Sequence, residues 1–271
     1  MDNSILILGG SGFIGSNLTL FLKALNYNVV VVDINSESNI DVRNYKMLYN
    51  IIHNSNIKTV IWCIDTYPSD IFYYEINITG LTNIINIMNI LSIKNFIYLS
   101  SNHVYGNNEY NSEDSICFPI TSEGKMKLLS EDMILNQYIF NYYILRIGNI
   151  IGKENNNYNR DTIFNQIDLY KSNIIKKITL NNIIQDYLHF LDLNEVVYKC
   201  IYKLDVFNTT IQKHIFNVGT ENHLCDMRLL NKMGNIDCIV LNQPIYKCTV
   251  NCLNVKKHLL WNPQFKIQNY I

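Results

Sequence analysis

The stretch ILILGGSGFIGSNLTLFLKALNYNVVVVD, residues 5–33, restricts the fold more than any other part of the chain. Residues 5–8 are a short continuous apolar run, the pattern of a strand buried on both faces. Gly9, Gly12 and Gly15 follow as G-x-x-G-x-x-G. A helical pattern comes next, with Leu18, Phe21, Leu22 and Leu25 recurring at helical spacing. A second buried strand, 29–32, ends at Asp33. Strand, glycines, helix, strand and acid in this order make a βαβ unit of about thirty residues.

Each piece has a physical task. Glycines let the backbone turn tightly and let a pyrophosphate come close. The helix N-terminus offers unpaired N–H groups and a positive dipole end to that anion. An acid at the end of the second strand accepts hydrogen bonds from a ribose diol. The negative charge of Asp33 also repels a 2′-phosphate, which points to NAD and not NADP. A bland alternative is a glycine-rich turn in some other α/β protein.

The alternation continues beyond this unit. The sequence predicts strands at 59–65, 95–101 and 142–152, and helices at 80–93 and 122–140. Such alternation implies an α/β fold, a Rossmann-type doubly wound parallel sheet with helices on both faces. Ligands on such sheets sit beyond the carboxyl ends of the strands. The ends at Gly9, Asp33, Ser100–Ser101 and Asn149 are therefore expected to converge on one crevice. The expected domains are an NAD-binding domain over 1–165, with 184–216 returning to it, and a smaller substrate-binding lobe from 166–183 and 217–271.

The 271 residues carry a net charge of −1 with both signs mixed, which gives no reason to expect nucleic acid or an anionic membrane as a partner. Asn-rich tracts such as KENNNYN, 153–159, read as long polar loops. Seven cysteines are scattered with no CxxC pair, against a disulfide framework. Cys248 and Cys252 have no evident partner pair for a metal, so no metal is expected. No basic leader opens the chain, and no apolar run has the roughly 18 residues a membrane span needs. A cytoplasmic, reducing setting is the expectation.

Collinear landmarks now accumulate: GGSGFIGSNL, DVRN at 41–44, NITGLTNII at 77–85, YLSSNHVYG at 98–106, ILRIGNIIG at 144–152, QDYLHFLDLNEVV at 185–197, FNVG at 216–219 and LLWNP at 259–263. In this order the chain resembles the extended short-chain dehydrogenase/reductases, in particular the NAD-dependent epimerase/dehydratases of nucleotide sugars. The resemblance assigns Gly9, Gly12, Phe13, Ile14, Gly15 and Asp33 to the cofactor. It places Asp41 and Val42 against the adenine and Asn149 beside the sugar nucleotide. It also implies a nucleotide-sugar substrate and a homodimer through paired helices.

One signature is broken. The family's Tyr-x-x-x-Lys falls on EGKMK, residues 123–127. Lys127 carries over, whereas Glu123 stands in the place of the tyrosine. No tyrosine anywhere in the sequence has a lysine four residues later. In the family the tyrosine exchanges a proton with a sugar hydroxyl or ketone, and the lysine holds the nicotinamide ribose. A free carboxylic acid titrates about pH 4.3 and is a far weaker base than phenolate. Burial would raise Glu123 and Lys127 would lower it. On helical spacing alone, Glu123 and Lys127 form an i,i+4 pair. Either Glu123 works as acid or base, or it marks a lost site.

Ser101 matches the family hydroxyl that hydrogen-bonds the reacting oxygen. Asn102 and His103 stand where sugar dehydratases carry an Asp-Glu pair, and His103 falls at a C–H acid/base position. An imidazole suits proton shuttling near neutrality. Tyr105 and Tyr110 are candidates for a displaced phenol. Gln185 replaces an arginine that commonly meets the nucleotide phosphates. The family's C-terminal helix finds no counterpart after Trp261. Two functions stay open: an NAD-dependent epimerase, reductase or dehydratase working at C4 of a nucleotide-activated hexose, and an NAD-binding regulatory or scaffold protein without turnover.

Overall fold

The computed structural model describes residues 4–66, 68–138, 140–152, 166, 169–180, 183–207, 211–225, 237–240 and 246–265. The tract 153–159 and much of the expected lobe at 226–236 and 241–245 lie outside these residues.

Six parallel strands form the main sheet. They are β1 (Ser4–Leu8), β2 (Asn28–Val32), β3 (Ile57–Trp62), β4 (Asn95–Ser101), β6 (Asn141–Ile147) and β10 (Lys213–Val218). Their order is β10-β6-β4-β3-β1-β2, so the chain starts inside the sheet and winds outward both ways. The strand order reverses beside β1, where doubly wound sheets open a crevice.

Side-chain alternation explains the continuous apolar strands. Ile5 and Ile7 of β1 join the core under α1 (Phe13–Ala24), while Leu6 and Leu8 join the core on the opposite face. Strands β4 and β6 divide the same way: Ile97, Leu99, Tyr143 and Leu145 against Phe96, Tyr98, Tyr142 and Ile144. Full burial of each large aliphatic residue contributes about 1.5–3 kcal/mol. The second face is covered by α2 (Tyr45–His53) and α3 (Gly80–Ile90), whose buried residues include Leu48, Ile52, Leu81, Ile84 and Met88.

A second sheet comprises β5 (Asn108–Asn111), β7 (Asn149–Ile151), β9 (Ile183–His189), β11 (His223–Cys225) and β13 (Tyr246–Val250). A separate parallel pair joins β8 (Ile178–Leu180) to β12 (Cys238–Val240). After β9, helix α5 (Phe190–Val206) packs against α1, and β10 completes the main sheet. Helix α6 (Leu253–Leu259) follows β13, and Trp261 is buried behind it.

The strand expected at 59–65 runs Ile57–Trp62 and the helix expected at 80–93 runs Gly80–Ile90, and two further elements differ more. The strand expected over 142–152 is two strands, β6 in the main sheet and β7 paired with β9, broken at Gly148. Gly148 donates its N–H to the Val218 carbonyl as the chain passes between sheets. The helix α4 runs Ser122–Leu135, shorter than expected, because Asn136 and the following turn end it before the buried Phe140.

Candidate active site

The carboxyl ends of β3, β4 and β6 open into a cavity of about 390 Å³. Ser101, His103, Glu123, Lys127, Asn149 and Gln185 all line it, as does Ile14 of the glycine loop. Residues separated by up to 171 positions in the sequence thus meet beyond the strand ends.

The loop before α1 is closely packed. A Cβ on Gly15 would lie 2.2 Å from the Gly9 carbonyl oxygen, so no larger residue fits that crossing. Gly12 caps α1 without a side-chain hydrogen bond, leaving first-turn N–H groups directed outward for an anion. Asp33 accepts the Ser11 N–H on Oδ2 at 3.0 Å and the Asn35 N–H on Oδ1 at 2.9 Å. Each oxygen retains a lone pair for a further donor.

Asp41 is held by Arg43, whose Nε lies 3.0 Å from both carboxylate oxygens. That guanidinium keeps the Asp41 carboxyl below its usual range. Arg43 reaches Glu75 as well and covers the Phe72 ring. Val42 is buried, and its carbonyl accepts from Asn83 Nδ2 at 2.9 Å.

At the reacting end, Lys127 is buried on α4. Its Nζ donates to the Leu99 carbonyl at 3.1 Å and lies 3.9 Å from Asp65 Oδ1. Burial alone would lower its pKa, but Asp65, Tyr98 and Glu123 outweigh burial and hold it above the ordinary lysine value. Lys127 therefore stays cationic. Glu123 turns the other way: its Oε2 lies 3.6 Å from His103 Nδ1. The i,i+4 pair expected from spacing gives way to these separate partners. Thr121 caps α4 by accepting from the Gly124 N–H at 3.0 Å.

Ser101 Oγ accepts the His103 N–H at 3.2 Å, which fixes the short 3₁₀ turn 102–105 at the end of β4. Asn102 is buried in the cavity wall, and neither its amide nitrogen nor its amide oxygen has a partner among the described residues. Its backbone carbonyl accepts from the Cys248 thiol at 2.9 Å, and burial pushes that thiol up to about 12. Gln185 donates to the Tyr187 hydroxyl at 3.1 Å.

The phenol candidates do not reach the cavity. The Tyr105 hydroxyl donates to Asn217 at 2.7 Å and accepts from Arg146 at 2.8 Å inside the core. Tyr110 is 74% exposed on β5. Sequence reasoning missed Asp65, although its place at the carboxyl end of a predicted strand was the available signal. It also missed the amide wall around Asn102, which only tertiary packing creates.

A family model for the NAD dependent epimerase/dehydratase family matches residues 5–219. The chain belongs to that family. Among curated members it is 25% identical over 278 residues to the dTDP-D-glucose 4,6-dehydratase of Dictyostelium discoideum, covering 86% of this chain and 62% of that protein. It is 27% identical over 151 residues to N-acetyl-alpha-D-glucosaminyl-diphospho-ditrans,octacis-undecaprenol 4-epimerase of Escherichia coli O157:H7, covering 51% of this chain and 44% of that one. The chain thus spans less than two thirds of either relative. The solved UDP-glucose 4-epimerase of Bifidobacterium longum, in complex with NAD+ and UDP, superposes with a TM-score of 0.88 at 18% identity, covering 99% and 96% of the two chains. At that identity the likeness is one of fold. Among the described residues of this epimerase/dehydratase family member, no helix is long and apolar enough to cross a membrane.

Proposed function

We propose that this protein is an NAD-dependent epimerase, or a related reductase or dehydratase, that works at C4 of a nucleotide-activated hexose. The observation that carries this reading is the cavity where Ser101, His103, Glu123 and Lys127 meet next to the glycine loop. The residues fit NAD: the Gly9–Gly15 crossing leaves space only for backbone, and Asp33 faces that loop with lone pairs to spare. Bound NAD supplies a hydride acceptor and donor.

The chain's own groups supply the rest. Gly9, Gly12, Phe13, Ile14 and Gly15 hold the diphosphate, Asp33 the adenosine ribose, and Asp41 with Val42 the adenine edge. The Lys127 ammonium binds the nicotinamide ribose and favours an electron-rich oxygen nearby. Ser101 donates its hydroxyl to the reacting sugar oxygen. Asn149 and Gln185 contact the nucleotide part of the substrate. Without an arginine at 185, one charge-assisted contact is missing, which weakens nucleotide binding by about 1.5–3 kcal/mol.

Glu123 in the tyrosine position favours a second reading, an NAD-binding regulatory protein. One experiment separates them. The purified chain, supplied with NAD, is incubated with UDP- and dTDP-hexoses while the sugar C4 configuration is followed by NMR. Accumulation of the C4 epimer or of a keto sugar supports the enzyme. Unchanged sugars with NAD bound support the regulatory protein.

A further inference from the structure

We infer that His103 is the group that exchanges a proton with the sugar hydroxyl, and that Glu123 is a positioning residue that holds the imidazole for that task. The inference rests on the proposed function and assigns the work of the missing tyrosine to a carboxylate–imidazole pair.

The geometry separates the two ring nitrogens. Nδ1 of His103 is buried, has no hydrogen-bond partner among the described residues, and lies 3.6 Å from Glu123 Oε2. This distance is longer than a hydrogen bond, as catalytic contacts in ligand-free structures frequently are. Nε2 is the ring's other nitrogen, and His103 lines the cavity together with Ser101. A tautomer with its proton on Nδ1, directed to the carboxylate, leaves a lone pair on Nε2 for the substrate. A carboxylate facing Nδ1 also offsets the charge that appears when Nε2 takes a proton.

Three backbone and ring contacts build this arrangement. A Cβ on Gly124 would lie 2.3 Å from the His103 carbonyl oxygen, so glycine lets the first turn of α4 close onto the 3₁₀ turn and bring Glu123 to the ring. Ser101 Oγ anchors the His103 N–H from behind. The Tyr246 ring meets the imidazole edge-on at 5.7 Å, restricting its plane.

The proton balance is simple. If bound NAD were to take hydride from C4 of the sugar, the hydroxyl O–H bond would have to break. Its proton moves to Nε2, its bonding electrons form the C4 carbonyl, and the imidazolium rests against Glu123. In the reverse direction, where the carbonyl carbon would regain hydride, that proton would return from Nε2 to oxygen. Lys127, paired with Leu99 O and Asp65, is left to the cofactor.

The test combines a spectroscopic and a kinetic reading on the full chain loaded with NAD. Imidazole ¹⁵N NMR of the wild type should place the His103 proton on Nδ1, and Glu123→Ala should move it to Nε2, the tautomer favoured by free imidazoles. In turnover of the hexose substrate, Glu123→Ala should lower kcat about 10–100-fold with KM nearly unchanged, and His103→Gln should lower it by at least as much. Glu123→Gln, which can still accept from Nδ1, should be intermediate. An Nε2–H tautomer in the wild type overturns the inference even if the sugar is turned over. So does full activity in His103→Gln. A wild type with the expected tautomer that converts no hexose overturns the proposed function, and with it the catalytic use of the pair.

Discussion

Ser11 donates its backbone N–H to Asp33 Oδ2 at 3.0 Å, so the acid that ends β2 is bound to the loop that precedes α1. The two segments proposed to hold the diphosphate and the adenosine ribose are thereby set in one geometry before any ligand arrives. Replacing Asp33 by Ala removes the acceptor and this tie together. NAD affinity should fall at least 10-fold, equivalent to about 1.4 kcal/mol or more, with the circular dichroism spectrum unchanged. The wild type should bind NADP more weakly than NAD by a similar margin. Equal affinities would contradict the role given to Asp33.

Gly15→Ala tests the crossing of the same loop. The added methyl meets the Gly9 oxygen at 2.2 Å, and a backbone atom cannot move aside cheaply. The variant should lose measurable NAD binding and melt several degrees lower. Retention of wild-type affinity would show that the loop relaxes without cost.

A buried ion pair ties α4 to β6. Arg146 donates to both oxygens of Glu131, at 2.7 Å from Nη2 to Oε2, and both residues are almost wholly buried. Ser100 Oγ donates to the same carboxylate. Glu131→Ala leaves an unpaired buried guanidinium, and such losses cost about 3–5 kcal/mol. Denaturant unfolding should show that loss. The double variant Glu131→Leu with Arg146→Met, which removes both charges and keeps the volume, should recover most of it.

Acidification should destabilise the fold before most carboxylates titrate. Burial holds His189 near pKa 4, and burial with the neighbouring His258 and Lys203 does the same for His214. The folded state therefore binds fewer protons than the unfolded chain between about pH 4 and pH 6.5. The stability from these rings is present above about pH 6.5 and is lost as the pH falls towards 4. His214 stacks on Tyr143 and Phe216, so His214→Phe preserves the aromatic contact while removing the titration. The variant should lose about 1 kcal/mol less than the wild type between pH 7 and pH 5, allowing for solvent screening. Identical losses would remove His214 from the account.

The sequence made some of these features readable and hid others for physical reasons. Strands β1, β3, β4 and β6 announce themselves because both faces are buried, so each carries a run of consecutive apolar residues and local pattern suffices. Strands β7, β9 and β13 are polar in part, and their pairing joins segments tens of residues apart. Nothing in the run ILRIGNIIG signals that the chain changes sheets at Gly148. The candidate residues from Ser101 to Gln185 were legible through the family resemblance, and doubly wound topology explains why they meet. Their partners were not. Helical spacing pairs Glu123 with Lys127, but Leu99 O and Asp65 take the lysine, and the 3₁₀ turn at 102–105 brings His103 to the glutamate. Glu131 gave no signal at all, since an acid in mid-helix is ordinarily solvated.

Isothermal titration calorimetry of the purified full chain with NAD+ tests the central claim most directly. The account predicts a single saturable binding event of one NAD per chain, with a dissociation constant in the micromolar range or below, that Gly15→Ala abolishes. A folded wild-type chain that takes up neither NAD+ nor NADH would contradict it.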